Sequence, residues 1–66
     1  MLQKEIKKFR TEYGITLAEL AGWTGLPSRL IEQIEEGTAP ALETDLERIT
    51  SVLIRLIRER DKSFRP

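Results

Sequence analysis

A stretch with the pattern of two short helices joined by a tight turn constrains this 66-residue chain more than any other feature. It runs from residue 16 to residue 37, TLAELAGWTGLPSRLIEQIEEG. Thr16 is suited to cap the first helix, and Glu19, three residues later, completes a capping-box pattern. Gly25 interrupts the helical spacing and can adopt the positive φ that a sharp turn requires. Gly37 is a favourable residue for ending the second helix.

Helical spacing continues on both sides of this stretch, because apolar residues recur every three or four positions and not every two. The spacing predicts a first helix over residues 2–12, beginning at Leu2. It also predicts a long helix over residues 45–60, with Thr44 as its N-cap. Residues 61–66 are expected to form a frayed polar tail, in which Phe64 can dock onto the domain.

Composition excludes several classes of protein. The sequence contains no cysteine and no histidine, which removes disulfides, zinc fingers and most catalytic constellations. It also lacks a Gly-rich phosphate loop, so we expect neither an enzyme nor a bound cofactor. No apolar run approaches the roughly 20 residues that cross a bilayer, and there is no signal-peptide pattern. We therefore expect one domain over residues 1–60 of a cytoplasmic protein.

The long helix carries more apolar residues than one buried stripe requires. A seam of leucine and isoleucine at helical spacing is enough for contact with the rest of the domain. Val52, Ile54 and Ile57 widen the apolar arc beyond about 180°. This excess predicts that a second copy of the chain contacts the helix, since a surface helix of a monomer normally has a narrower stripe. The alternative is that Ile54 or Ile57 is simply an exposed aliphatic side chain.

Six small or apolar residues are arranged around the predicted turn: Leu20, Ala21, Gly25, Leu26, Ile31 and Ile34. Together they resemble the helix-turn-helix of the Cro/CI-type phage repressor family, also called XRE-like. The likeness extends over residues 4–56. It implies an all-α, lambda-repressor-like domain of four or five helices, with a helix-turn-helix and a long C-terminal helix. It also implies that Arg10 and Glu35 form a partly buried ion pair between the first and third helices.

The resemblance further implies a DNA-binding transcriptional regulator that acts as a dimer. In such a protein the helix over residues 28–36 enters the major groove of double-stranded DNA. Thr16 and Thr38 match family positions that reach phosphate groups. Leu17 occupies a third DNA-contacting position, at which the family commonly has a glutamine that grips backbone and base.

Helical geometry places polar and charged side chains together on the outward side of the 28–36 helix. Arg29 can read guanine O6 and N7, Gln33 can pair with adenine N6 and N7, and Glu32 can accept from cytosine N4. The predicted groove-facing set consists of Ser28, Arg29, Glu32, Gln33 and Glu36.

The distribution of charge favours a different function. The chain has 11 basic and 11 acidic residues, but residues 14–41 contain only Arg29 against four glutamates. Non-specific affinity for DNA comes from neutralising phosphates, and this region is the most acidic part of the chain. Leu17, Trp23 and Leu30 are large and apolar where the family usually has polar residues. The alternative is therefore a degenerate helix-turn-helix that serves as a protein-interaction or dimerisation module through these three side chains. For Trp23 there is also a structural interpretation, in which its side chain covers the edge of the core.

Overall fold

The computed structural model describes residues 3–63, which form four α-helices. This confirms the predicted all-α class and the lower of the two predicted helix numbers. The predictions for Leu2 and Phe64 lie outside the described residues. The helices are α1 (Gln3–Glu12), α2 (Leu17–Thr24), α3 (Ser28–Glu36) and α4 (Glu43–Arg60).

The helices pack as a ring in which α1 and α2 each contact both α3 and α4. Within residues 3–63, α3 and α4 do not pack directly against each other, and neither do α1 and α2. Each helix contributes buried aliphatic side chains to one central core, which is small because the chain is short. The core consists of Ile6, Ile15, Leu20, Ile31, Ile34, Ile49, Leu53, Leu56 and Ile57.

Two glycines end helices as their positions in the sequence predict. Gly25 terminates α2 with φ 76°, and its N–H donates to the carbonyl of Ala21 at 2.9 Å. Gly37 terminates α3 with the same φ of 76°. A residue with a Cβ is strained in this left-handed region, so glycine is the favoured residue at both positions. The turn at Gly25 therefore sets the direction in which α3 leaves α2.

The start of the long helix differs from the prediction. Helix α4 begins at Glu43, and Leu42 is its N-cap without a side-chain hydrogen bond, so the assignment of Thr44 as cap was wrong. The carbonyl of Leu42 accepts from the N–H of Leu46 at 2.9 Å. The first turn of α4 therefore begins two residues before the predicted start at residue 45. Glu43 and Asp45 lie in this first turn, where the helix dipole stabilises negative charge.

Helix α4 is followed by a hydrogen-bonded turn over residues 61–63, the part of the predicted polar tail that the structure describes. Asp61 follows the last helical residue, and its Oδ1 accepts hydrogen bonds from the Oγ of Ser63 at 2.6 Å and from the N–H of Ser63 at 3.0 Å. These two hydrogen bonds lower the pKa of Asp61, the side-chain bond more than the backbone bond. Residues 61–63 therefore form a local turn after the helix.

The broad apolar arc of α4 is mostly used within one copy of the chain. Ile57 is fully buried and belongs to the core, so its assignment to a dimer contact was wrong. Val52 is half-buried and packs against the core. Ile54 is half-buried but is not among the side chains that pack against the core. Because α4 lies against both α1 and α2, its buried arc is wider than that of a helix with one neighbour.

Arg10 and Glu35 form a bidentate ion pair between α1 and α3. The Nε of Arg10 donates to Glu35 Oε2 at 2.7 Å, and Nη2 donates to Oε1 at 3.1 Å. The Nη1 atom donates to the carbonyl of Ile15 at 3.0 Å. The side chains are 11% and 1% exposed, so the pair is largely removed from water. The resemblance had implied this ion pair between these helices.

We expect Arg10→Met to lower the melting temperature far more than Lys7→Met. Removing the arginine leaves the Glu35 carboxylate buried without its partner, which costs about 3–5 kcal/mol. For a domain of this size that loss corresponds to a decrease of about 10 °C or more. Lys7 pairs with Glu36 at 3.3 Å on the surface, where both side chains are more than half exposed, so its loss has a small effect. Thermal denaturation followed by circular dichroism tests this, and equal melting temperatures would contradict it.

Candidate functional site

The outward side of α3 is the most concentrated polar surface that the sequence predicted. Ile31, Ile34 and Glu35 are buried on the inner side of the helix. The predicted groove-facing residues lie on the other side, where four are exposed and Gln33 is half-buried. We call these five residues the α3 surface: Ser28, Arg29, Glu32, Gln33 and Glu36.

A shallow groove connects the α3 surface to the start of α2. Its lining includes Leu17 and Ala18 from α2 and Ser28, Arg29 and Glu32 from α3. The turn at residues 25–27 brings the first turns of the two helices side by side, which explains the groove. Four of the predicted DNA-contacting residues therefore meet at one place. Leu17 is half-buried and packs against the core while its edge lines the groove.

The two threonines predicted to reach phosphate are exposed, but each also has a structural role. Thr16 caps α2, because its Oγ1 accepts from the N–H of Glu19 at 3.0 Å. Thr38 follows α3, and its N–H and Oγ1 donate to the carbonyl of Gln33 at 2.9 and 3.4 Å. The capping box is incomplete, since the carboxylate of Glu19 pairs with Arg60 and not with the start of its own helix. Arg60 thereby ties the start of α2 to the end of α4.

Three of the four glutamates in residues 14–41 are neutralised by cations from outside that region. Glu35 is buried, Glu36 is paired at 3.3 Å, and Glu19 is paired at 2.6 Å. The remaining charged residues of this region are Arg29 and Glu32, and neither forms an ion pair with α1 or α4. The α3 surface and the groove are thus close to neutral, and not strongly acidic as the residue count suggests. The pairs are Glu35 with Arg10, Glu36 with Lys7 and Glu19 with Arg60.

The three apolar residues assigned to a protein-binding patch differ in burial. Leu17 and Leu30 pack against the core. Trp23 is 58% exposed and is not among the side chains that pack against the core, so it does not cover the edge of the core as one interpretation of the sequence held. The guanidinium of Arg55 lies 5.6 Å from the centre of its ring, a cation–π contact that ties α2 to α4. Trp23 therefore lies on the side of α2 that faces α4.

Sequence reasoning missed the residue that holds the turn below the groove. Thr24 is only 4% exposed, and its Oγ1 donates to the carbonyl of Leu20 at 2.8 Å. The same oxygen accepts from the N–H of Leu26 at 3.2 Å, while Arg48 donates to the Thr24 carbonyl at 3.4 Å. Threonine hydroxyls often bond to nearby backbone groups. A threonine directly before a helix-ending glycine is therefore a local signal for such a bond, and the sequence offers no other.

Other kinds of site find little support in the described residues. Residues 3–63 contain no group of three or more acidic side chains that could hold a metal ion. Over the same residues, no helix combines the length and the apolar character needed to span a bilayer. Comparison with protein-family models, curated proteins and solved structures finds no match to this chain. Fold and surface together define a small four-helix domain with an exposed polar helix beside a tight turn.

We expect Thr24→Val to lower the free energy of unfolding by about 1–3 kcal/mol. Valine keeps the shape of threonine but leaves the N–H of Leu26 and the carbonyl of Leu20 without their hydroxyl partner. Thr11→Val is the matched control, because the Oγ1 of Thr11 also donates to the carbonyl four residues earlier, at 2.8 Å, but on an exposed surface. Its effect should stay within about 0.5 kcal/mol. Urea denaturation measures both, and similar losses would show that the turn does not depend on Thr24.

Proposed function

We propose that this chain is a DNA-binding transcriptional regulator that acts as a dimer, with α3 in the major groove. The observation that carries the proposal is the α3 surface, a continuous polar face on an exposed helix that follows α2 after a tight turn. A helix held in this way can enter the major groove, which is wide enough for one α-helix. On this proposal the protein acts in the cytoplasm, the location that the sequence led us to expect.

Base recognition falls to Arg29 and Gln33. They are four residues apart, so they lie on the same side of α3 and about 6 Å apart along its axis. This distance lies between one and two base-pair steps of 3.4 Å, so the two side chains can reach bases that are close together along the duplex. Arginine can bond to guanine O6 and N7 and glutamine to adenine N6 and N7, while Glu32 can accept from cytosine N4. Arg29 and Glu32 are exposed at the groove, and Gln33 is half-buried.

Contacts to the DNA backbone are expected to be few. Thr16 and Thr38 lie at the start of α2 and just after α3, so their hydroxyls flank the α3 surface. Neither carries a charge, and Lys7 is partly occupied by Glu36. The pairing of Glu19, Glu35 and Glu36 with cations removes much of the repulsion that unpaired glutamates would exert on phosphates. We therefore expect modest affinity with a shallow dependence on salt, because each neutralised phosphate contributes about 0.9 to the log–log slope.

We expect Arg29→Ala to weaken binding to preferred duplexes by about 5- to 150-fold, equivalent to about 1–3 kcal/mol, and to relax the preference at one base pair. The experiment selects duplexes from a randomised pool at low salt and sequences the bound fraction for each variant. Lys8→Ala is the control, since it removes one cation from exposed α1 and should at most weaken all sequences alike. Absence of any duplex binding by a folded sample at low salt would reject the proposal, as would an unchanged base preference in Arg29→Ala.

The second candidate function is a protein-interaction module, and the exposure of Trp23 is the observation that favours it. Tryptophan and arginine are both enriched among the residues that contribute most to binding at protein interfaces. Under this function Arg29→Ala leaves binding unchanged, whereas Trp23→Ala removes it with little loss of stability. The two functions therefore give opposite results for the same pair of variants.

A further inference from the structure

One side of α4 has no neighbour among the described helices. At 3.6 residues per turn, four of its residues fall within an arc of about 60°, which lies about 80–140° away from the core-facing residue Leu53. Three of them are exposed, and Ile54 is the half-buried side chain that does not join the core. We call this row the α4 stripe: Glu43, Glu47, Ile54 and Arg58.

The charges of the α4 stripe are segregated along the helix. Glu43 and Glu47 occupy the N-terminal half, and Arg58 occupies the C-terminal half. Within residues 3–63 none of the three has a hydrogen-bond or ion-pair partner. Glu47 and Arg58 are 11 positions apart, or about 16 Å along the axis, too far to pair within one helix.

The arginines on the other sides of α4 are engaged. One donates to a carbonyl of α2, one lies over the ring of Trp23 and pairs with Glu59, and one pairs with Glu19. Three charged residues of α4 without a partner among residues 3–63 thus lie on the same side as the one aliphatic residue of α4 outside the core cluster, and Asp45 is the one other such charge, on a different side of the helix. The engaged arginines are Arg48, Arg55 and Arg60.

We propose that the α4 stripe binds the α4 stripe of a second copy in antiparallel orientation. The antiparallel arrangement brings Glu47 of each copy opposite Arg58 of the other and places Ile54 near the two-fold axis. A parallel arrangement would bring Glu47 opposite Glu47 and Arg58 opposite Arg58, which is repulsive. Charge complementarity therefore selects both the occupant, which is the same chain, and its direction.

This inference deepens the dimer of the proposed function, but it is tested without DNA. With a single isoleucine per copy at its centre, the interface is small, and we expect association in the micromolar to millimolar range. Because α3 does not pack against α4, a second copy on the α4 stripe leaves the α3 surface open. Failure of self-association would thus leave DNA binding by α3 to be judged separately.

The test is sedimentation equilibrium of the whole chain from micromolar to millimolar concentration, with charge-reversed variants. Glu47→Arg and Arg58→Glu each turn two attractive contacts per dimer into repulsive ones, and each should weaken association by about tenfold. The double variant Glu47→Arg with Arg58→Glu exchanges the charges and should restore association to about the original value. A parallel dimer would respond to none of these changes, because its like charges remain opposite like charges.

Two further variants keep the test specific. Glu59→Arg is the matched control, with the same change of charge on the same helix but outside the α4 stripe, and it should leave association unchanged. Ile54→Ser should abolish association while leaving the helix content and the melting temperature close to those of the original chain. A strictly monomeric mass at all concentrations, or a double variant that fails to recover association while folded, would overturn the proposal.

Discussion

The buried ion pair between Arg10 and Glu35 is the interaction on which the arrangement of the other helices depends. Three of the arginine's nitrogens bond at once to α3 and to the carbonyl of Ile15, so α1, the connection to α2, and α3 are held by one side chain. The desolvation of two charges offsets much of their attraction, so such a pair adds little net stability. Its effect is mainly geometric, because any rotation of α3 that carries Glu35 away from α1 would leave Arg10 largely buried without its partner.

Local features of the fold could be predicted from the sequence, because they depend on residues that are close along the chain. Gly25 and Gly37 mark helix ends through their own backbone conformation, and the predicted polar face of α3 follows from helical spacing alone. The depth at which a helix is buried depends on how many neighbours it has, and the sequence does not specify this. Ile57 was therefore assigned to a dimer contact although α1 and α2 both cover α4. Trp23 was considered as a cover for the edge of the core, but its position on α2 leaves it 58% exposed.

Electrostatics at the candidate site could not be predicted from the sequence for a related reason. The charge of a segment counts only its own residues, whereas the partners of its glutamates are 25, 29 and 41 positions away. Tertiary packing converts an acidic segment into a nearly neutral surface, and the cations that do so belong to α1 and α4. The groove between α2 and α3 likewise depends on the turn held by Thr24, whose buried hydroxyl bonds have only a weak local signal.

The ring arrangement of the helices has a consequence for how binding and self-association combine. Because α3 and α4 are not in contact, the proposed DNA surface and the proposed α4 stripe use different parts of the molecule. One copy has few cations with which to neutralise phosphates, so a single α3 in the groove gains little electrostatic free energy. Two associated copies add their contacts without losing translational freedom twice, which raises the effective affinity. If both proposals hold, linkage requires that DNA strengthens the dimer by the same factor by which the dimer strengthens DNA binding. A weak α4 contact would then make occupancy of DNA depend steeply on the concentration of the chain.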